Sequence, residues 1–164
     1  MHGPSPQVGC AMTDPLRSNA QCWLVYCDGS AMPNPGRMGL GAVLIDPNGA
    51  RHTLSHASGA KGCNNEAELR ALMAALRELQ ACGAAALLIH CDNSILVDQL
   101  GPGVAKPIAR LASLFDEART LLKSFEHAHL QWIPRHRNGE ADELARAALG
   151  VSPKPAARPG RHAR

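Results

Sequence analysis

The sequence predicts a mixed α/β domain, a single sheet that is antiparallel in one part and parallel in another and is covered by helices. Residues 23–57 hold three β-favouring runs joined by short turns, the pattern of an antiparallel meander. From residue 64 onward helical and strand patterns alternate, which implies parallel strands joined by crossovers. Two of the strands, 23–27 and 87–91, run directly into an aspartate, Asp28 and Asp92. Ligands of open α/β sheets gather outside the carboxyl ends of strands, so both are candidates for chemistry.

Taken in order, residues 1–20 are rich in Pro, Ser and Gly and are expected to be disordered. Trp23-Leu24-Val25-Tyr26-Cys27 is a strand ending in Asp28-Gly29-Ser30. A Pro/Asn/Gly turn at 31–36 leads to a strand over 38–45, and Asp46-Pro47-Asn48-Gly49 turns the chain into a more polar strand over 50–57, suited to a sheet edge. Residues 58–63 are expected as loop. Asn64-Asn65 is placed as the cap of a helix running to about Cys82 and stopped by Gly83. Leu69, Leu72, Met73, Leu76 and Leu79 give that helix an apolar face. Glu68 lies on the packed side of its first turn, whereas Glu66 points away.

The strand to Asp92 follows, then a short helix to about Leu100, the breaker Gly101-Pro102-Gly103 and a long amphipathic helix expected over 104–124. A fifth strand is placed at 128–133, a polar loop at 134–139 and a last helix at 140–149 with Asp142 in its first turn. The domain is thus 21–150, followed by a Pro-rich segment, 151–164, whose charged residues are Lys154, Arg158, Arg161 and Arg164.

Composition bounds the function. Hydrophobic residues make up 45 % of the 164, enough for a packed core. No apolar run is long enough to cross a bilayer, and the N-terminus lacks the charged-then-apolar pattern of a secretory signal. Six cysteines without a CxxC pair read as reduced thiols of a cytoplasmic protein and argue against zinc. The net charge of +3 is concentrated in the basic tail, which reads either as a flexible electrostatic arm or as a solvated end without a partner. No repeat or dimer stripe is visible, so a monomer is expected.

Four acids stand out, namely Asp28, Glu68, Asp92 and Asp142. Each has an ordinary explanation, as a helix cap or as a partner of a helix dipole. Brought to one side of a sheet they repel one another and call for a cation, and hard oxygen ligands favour Mg²⁺ or Mn²⁺. Two such ions about 3.5–4 Å apart can clamp the attacking and leaving oxygens of a phosphodiester.

These residues also carry a resemblance. Asp28-Gly29-Ser30 with Asn34-Pro35-Gly36, Asn64-Asn65-Glu66-Ala67-Glu68, Asp92-Asn93, and His136 followed by Asp142-Glu143-Leu144-Ala145 occur in the order and element context of type 1 ribonucleases H. Over about residues 23–149 the chain is similar to that family. The resemblance implies a ribonuclease H-like, five-stranded mixed sheet with the Asp28 and Asp92 strands as parallel neighbours. It implies an endonuclease that cuts the RNA strand of RNA–DNA hybrids with two Mg²⁺ or Mn²⁺ ions, leaving 5′-phosphate and 3′-hydroxyl ends. The metal ligands then fall on Asp28, Glu68, Asp92 and Asp142, and a proton-shuttling or product-release role falls on His136. Substrate contacts fall on Asn34, Asn64, Asn65, Asn93 and Cys63, the last at a position where many relatives carry a Thr that holds a DNA phosphate.

The basic handle of better-known members shrinks here to residues 101–109, with Lys106 its single charge before Arg110. The tail is expected to substitute for it in part, and broader activity, including cleavage of double-stranded RNA, is left open. The other readings are a junction resolvase or transposase-like nuclease of the same fold, and a non-catalytic nucleic-acid-binding module. Strand alternation has one further consequence. If Asp28 and Asp92 face the site, Cys27 and Cys91 face the core, as neighbouring reduced thiols.

Overall fold

A computed structural model describes residues 21–103 and 106–151. The elements run β1 (Cys22–Met32), β2 (Gly36–Ile45), β3 (Arg51–Gly62), α1 (Asn64–Ala81), β4 (Ala86–Cys91), α2 (Ser94–Leu100), α3 (Ala112–Lys123), β5 (His127–Trp132) and α4 (Gly139–Ala147). Single 3₁₀ turns at Ala109–Leu111 and Arg135–Arg137 precede α3 and α4. The sheet order is β3-β2-β1-β4-β5, with β3–β2–β1 antiparallel and β1–β4–β5 parallel, and the polar β3 is an edge strand. The mixed sheet expected from the sequence is therefore present, with its fork at β1.

The core lies on one face of this sheet. Val25 and Cys27 of β1, Leu40, Ala42 and Leu44 of β2, and Leu87, Ile89 and Cys91 of β4 alternate inward against Leu69, Leu72, Leu76 and Leu79 of α1 and Phe115 of α3. Cys27 and Cys91 are each 2 % exposed, and the neighbouring Cys91 thiol together with burial pushes the Cys27 thiol well above its ordinary value. The core position expected from strand alternation is the one observed, and both thiols are free.

The other face is covered by α4, which crosses β1, β2 and β3. It lies so close to β2 that a Cβ on Gly41 would collide with the backbone of Ala141 and Ala145. Gly29 plays the same part on the core side, where any Cβ would enter the backbone of Ala67 and Glu68 in α1. These close approaches carry the first turns of α1 and α4 to β1.

Several boundaries differ from expectation. β1 continues past Asp28 to Met32, because Asp28–Met32 stay paired to β2 through the register Asp28↔Gly41 to Met32↔Arg37. β3 likewise runs on to Gly62 where a loop was expected, re-pairing with Gly36 and Arg37 after an irregularity between Arg37 and Gly39. The helix expected over 104–124 begins only at Ala112. Pro107 lacks an N–H and disfavours helical geometry at Lys106, so the chain reaches α3 through a 3₁₀ turn. Asn64-Asn65 does not cap α1. The cap position belongs to Cys63, which makes no side-chain cap bond, and both asparagines are bonded elsewhere. The N-terminal segment 1–20, residues 104–105 and the basic tail from 152 lie outside the described residues.

Candidate active site

The pairing of β1 with β4 ends at Tyr26↔His90, so beyond that point β1 runs on beside β2 alone. Asp28 sits just past this fork, and Asp92 is the first residue after β4. The peptide of Asp92 is held by Trp132, whose Nε1 donates to its carbonyl at 3.3 Å. The Ile133 N–H donates to the Cys91 carbonyl at 2.9 Å. Gly29 lets α1 approach, which brings in Glu68 from the other side. As a result Asp28, Glu68 and Asp92 each offer a carboxylate oxygen within 4.8 Å of the others.

Two of the three acids are taken out of water, Asp28 at 6 % and Glu68 at 9 % exposure. Burial, then the charges of Asp92 and Glu68, push Asp28 up to about 9. Burial also raises Glu68, although hydrogen bonds from Asn93 and Asp28 oppose the shift. A carboxylate trio that cannot ionise together near neutral pH fits a site completed by a cation. The donors are all oxygens, as Mg²⁺ or Mn²⁺ prefers.

An open cavity of about 350 Å³ lies over the trio. Asn64, Asn65, Asn93 and Asp142 are in its wall, together with Arg135 and Arg146. Asp142 lines the cavity without joining the close trio. Both of its oxygens accept from Arg146 Nε, at 3.2 and 3.1 Å, one turn along α4. His136, Asn34 and Cys63 lie outside the wall, and His136 is exposed on the 3₁₀ turn Arg135–Arg137.

The asparagines divide by what their amides do. Asn93 is the cap of α2, its Oδ1 accepting from the N–H groups of Ile95 and Leu96 at 2.9 and 3.3 Å. Its Nδ2 donates to Asn65 Oδ1 at 2.8 Å and to Glu68 Oε2. Expected as a substrate contact, Asn93 is thus engaged at both ends inside the protein, where it caps a helix and orients Glu68. It also relieves Asp92 of the capping role that the sequence left open. Asn64 Oδ1 accepts from Ala31 N at 2.9 Å, and Asn34 Oδ1 accepts from Asn64 N at 3.1 Å. These bonds use oxygens and leave the amide nitrogens as donors. Cys63 receives Arg110 Nη1 at 3.2 Å. Burial pushes the Cys63 thiol up, but the Glu66 N–H and the Arg110 guanidinium outweigh it, and the net shift is downward.

A family model described as reverse transcriptase-like matches residues 26–148. The chain belongs to this family, of the ribonuclease H type. Ribonuclease HI of Halobacterium salinarum is 30 % identical over 149 residues, which cover 91 % of this chain and 74 % of that protein. Its crystal structure superimposes with a TM-score of 0.74 over 79 % of this chain and 98 % of its own. A bifunctional protein of Mycobacterium tuberculosis is 31 % identical over 136 residues, 82 % of this chain, and the chain spans only 37 % of that relative's length. A ribonuclease H1 solved in complex with an RNA/DNA hybrid is 30 % identical, with a TM-score of 0.69 over 78 % of this chain and 96 % of that one.

The sequence reading missed two arginines of the cavity wall, Arg135 and Arg146, and the buried Asn138, which donates to Asp92 from outside that wall. Arg135 and Arg146 are set by the i, i+4 geometry of α4 and by the turn before it, and Asp142-x-x-x-Arg146 was a readable signal for the second. Asn138 had no such signal, being one polar residue in a polar loop.

Proposed function

We propose that this chain hydrolyses the RNA strand of RNA–DNA hybrids, leaving 5′-phosphate and 3′-hydroxyl ends, with divalent Mg²⁺ or Mn²⁺ held by Asp28, Glu68, Asp92 and Asp142. The observation that carries the reading is the trio of carboxylate oxygens within 4.8 Å, set at the fork of β1 and β4 under an open cavity. Family membership and a relative captured on an RNA/DNA hybrid support the substrate class.

Bound ions, two per site on this reading, supply charge neutralisation, an activated water and stabilisation of the leaving 3′ oxygen. The chain's own residues do the rest. Asp28, Glu68 and Asp92 would hold the ions through their carboxylate oxygens, and the charge of the ions would favour the ionised form of Asp28, which burial and its acidic neighbours otherwise keep protonated. Asp142 would join from α4, its carboxylate aimed by Arg146. The amide nitrogens of Asn64 and Asn65 at the cavity wall donate to 2′-hydroxyl or phosphate oxygens, and Asn34 extends that row outward. His136, exposed beside the site, carries a proton at its ring nitrogen to or from the departing product. On the DNA side the Arg110 guanidinium stands against Cys63 and supplies the phosphate charge that a thiol does not.

The test is cleavage of a labelled hybrid in Mg²⁺ and in Mn²⁺, beside the same RNA as a single strand and as a duplex, with Asp92→Asn as control. Hybrid cleavage lost in the variant is the expected result. No cleavage of any substrate in either metal, by a folded protein, refutes the proposal, and cleavage of the RNA duplex extends the substrate range.

A further inference from the structure

Asn138 is the most deeply buried polar residue near the site, 1 % exposed, and no step above uses it. It stands between the 3₁₀ turn and α4, and its side chain reaches the carboxylate of Asp92. Its Nδ2 donates to the Cys27 carbonyl at 2.9 Å and to Asp92 Oδ2 at 3.0 Å. Its own carbonyl accepts from the Asp142 N–H at 3.1 Å. One residue thus ties together the peptide preceding Asp28, the carboxylate of Asp92 and the helical turn that presents Asp142.

The amide has one permitted orientation. Reversing it places an oxygen against two acceptors, the Cys27 carbonyl and the Asp92 carboxylate. Both hydrogens of Nδ2 are therefore committed, while Oδ1 is buried with no hydrogen-bond partner among the described residues. A buried orphan acceptor costs stability, so the residue is poorly chosen as a structural element. It is well chosen as a donor, because it takes one oxygen of Asp92 out of play and fixes the rotation of the carboxylate. The oxygen left over is the one available to a cation.

Resting on the metal-dependent reading of this site, we propose that Asn138 is a positioning residue for the metal centre. It acts on metal affinity through Asp92 and on the spacing of three ligand-bearing elements. Partners that orient a ligand in this way are commonly worth about 10–100-fold in metal affinity or activity.

The experiment compares the wild type with Asn138→Leu, which keeps the shape but removes both donors and the orphan oxygen, and with Asn138→Ala. Mn²⁺ affinity is measured by calorimetry without nucleic acid, Tm is measured in EDTA, and kcat and KM for the hybrid are followed across a Mg²⁺ titration. The expected result is a Tm within a few degrees of wild type, Mn²⁺ binding weaker by about 10-fold or more, and an unchanged KM. The kcat should fall at low Mg²⁺ and recover in part at high Mg²⁺. Mn²⁺ affinity and Mg²⁺ dependence equal to wild type overturn the proposal, as does a loss of activity that tracks Tm alone. If Leu does not fold, Ala is measured at a temperature where it does, and the same outcomes decide. A wild type that binds Mn²⁺ but cleaves nothing sinks the ribonuclease reading and leaves the affinity ratio to judge Asn138.

Discussion

Replacing Asp28 by Asn should stabilise the metal-free protein while abolishing cleavage. The magnitude follows from the proton that Asp28 holds. Its carboxyl is raised from 3.8 to about 9 by burial and by its acidic neighbours, so between those values the folded protein keeps a proton that the unfolded chain has released. Stability therefore falls as pH rises through this window, by about a factor of ten per pH unit. From 3.8 to pH 7 that amounts to roughly 4 kcal/mol, removed when the residue carries no charge. For a domain of this size, roughly 4 kcal/mol corresponds to a rise in Tm on the order of 10 °C. The assay is thermal unfolding of wild type and Asp28→Asn in EDTA from pH 5 to 8, repeated in saturating Mn²⁺. The gap should widen with pH in EDTA and narrow in Mn²⁺, which stabilises only the protein that can bind it. A variant no more stable than wild type at pH 7, or a gap flat with pH, refutes the reasoning.

Other perturbations probe the supports of the site. Gly29→Ala drives a methyl group into the backbone of α1, so it should cost about 1–3 kcal/mol or more in urea unfolding and reduce cleavage by moving Glu68. Cys27→Ala with Cys91→Ala should cost roughly 1–3 kcal/mol but leave kcat for the hybrid near wild type, since both thiols face the core. Arg110→Ala should weaken hybrid binding and lower the salt slope by about one phosphate contact, read from affinities between low and moderate salt. Truncation after Gly150 removes four cations and should lower both affinity and salt slope, and unchanged values would deny the tail any role.

How far the sequence disclosed this molecule depends on whether a feature is local. The apolar spacing of α1 and the alternation of β1 and β4 are local, and they placed the core and the inward thiols correctly. Glu68 was separated from Glu66 by the same geometry, and Glu66 does turn aside to pair with Arg70. The extension of β1 beyond Asp28 was not legible, because only the partner strand β2 keeps that stretch extended. The capping assignment failed for a related reason. Asn64 and Asn65 are good caps by type, but Ala31 and Asn93, distant in sequence, compete for their oxygens. Asn138 is the furthest case, since its meaning lies in contacts with residues 46 and 111 positions away. Arg146 lay within reach of a simple i, i+4 reading of the last helix.

Gly29 shows what this architecture holds constant. Core contacts can be exchanged for others of similar volume, and the helix above them settles accordingly. The interval between β1 and α1 at position 29 has no such latitude, because peptide backbone fills it from both sides. The molecule in effect carries a gauge, a place whose thickness is one α-hydrogen and which sets how far apart two carboxylates on different elements can stand. Drift in the surrounding packing is absorbed elsewhere, and the spacing of the carboxylates is inherited from a position that contributes no side chain at all.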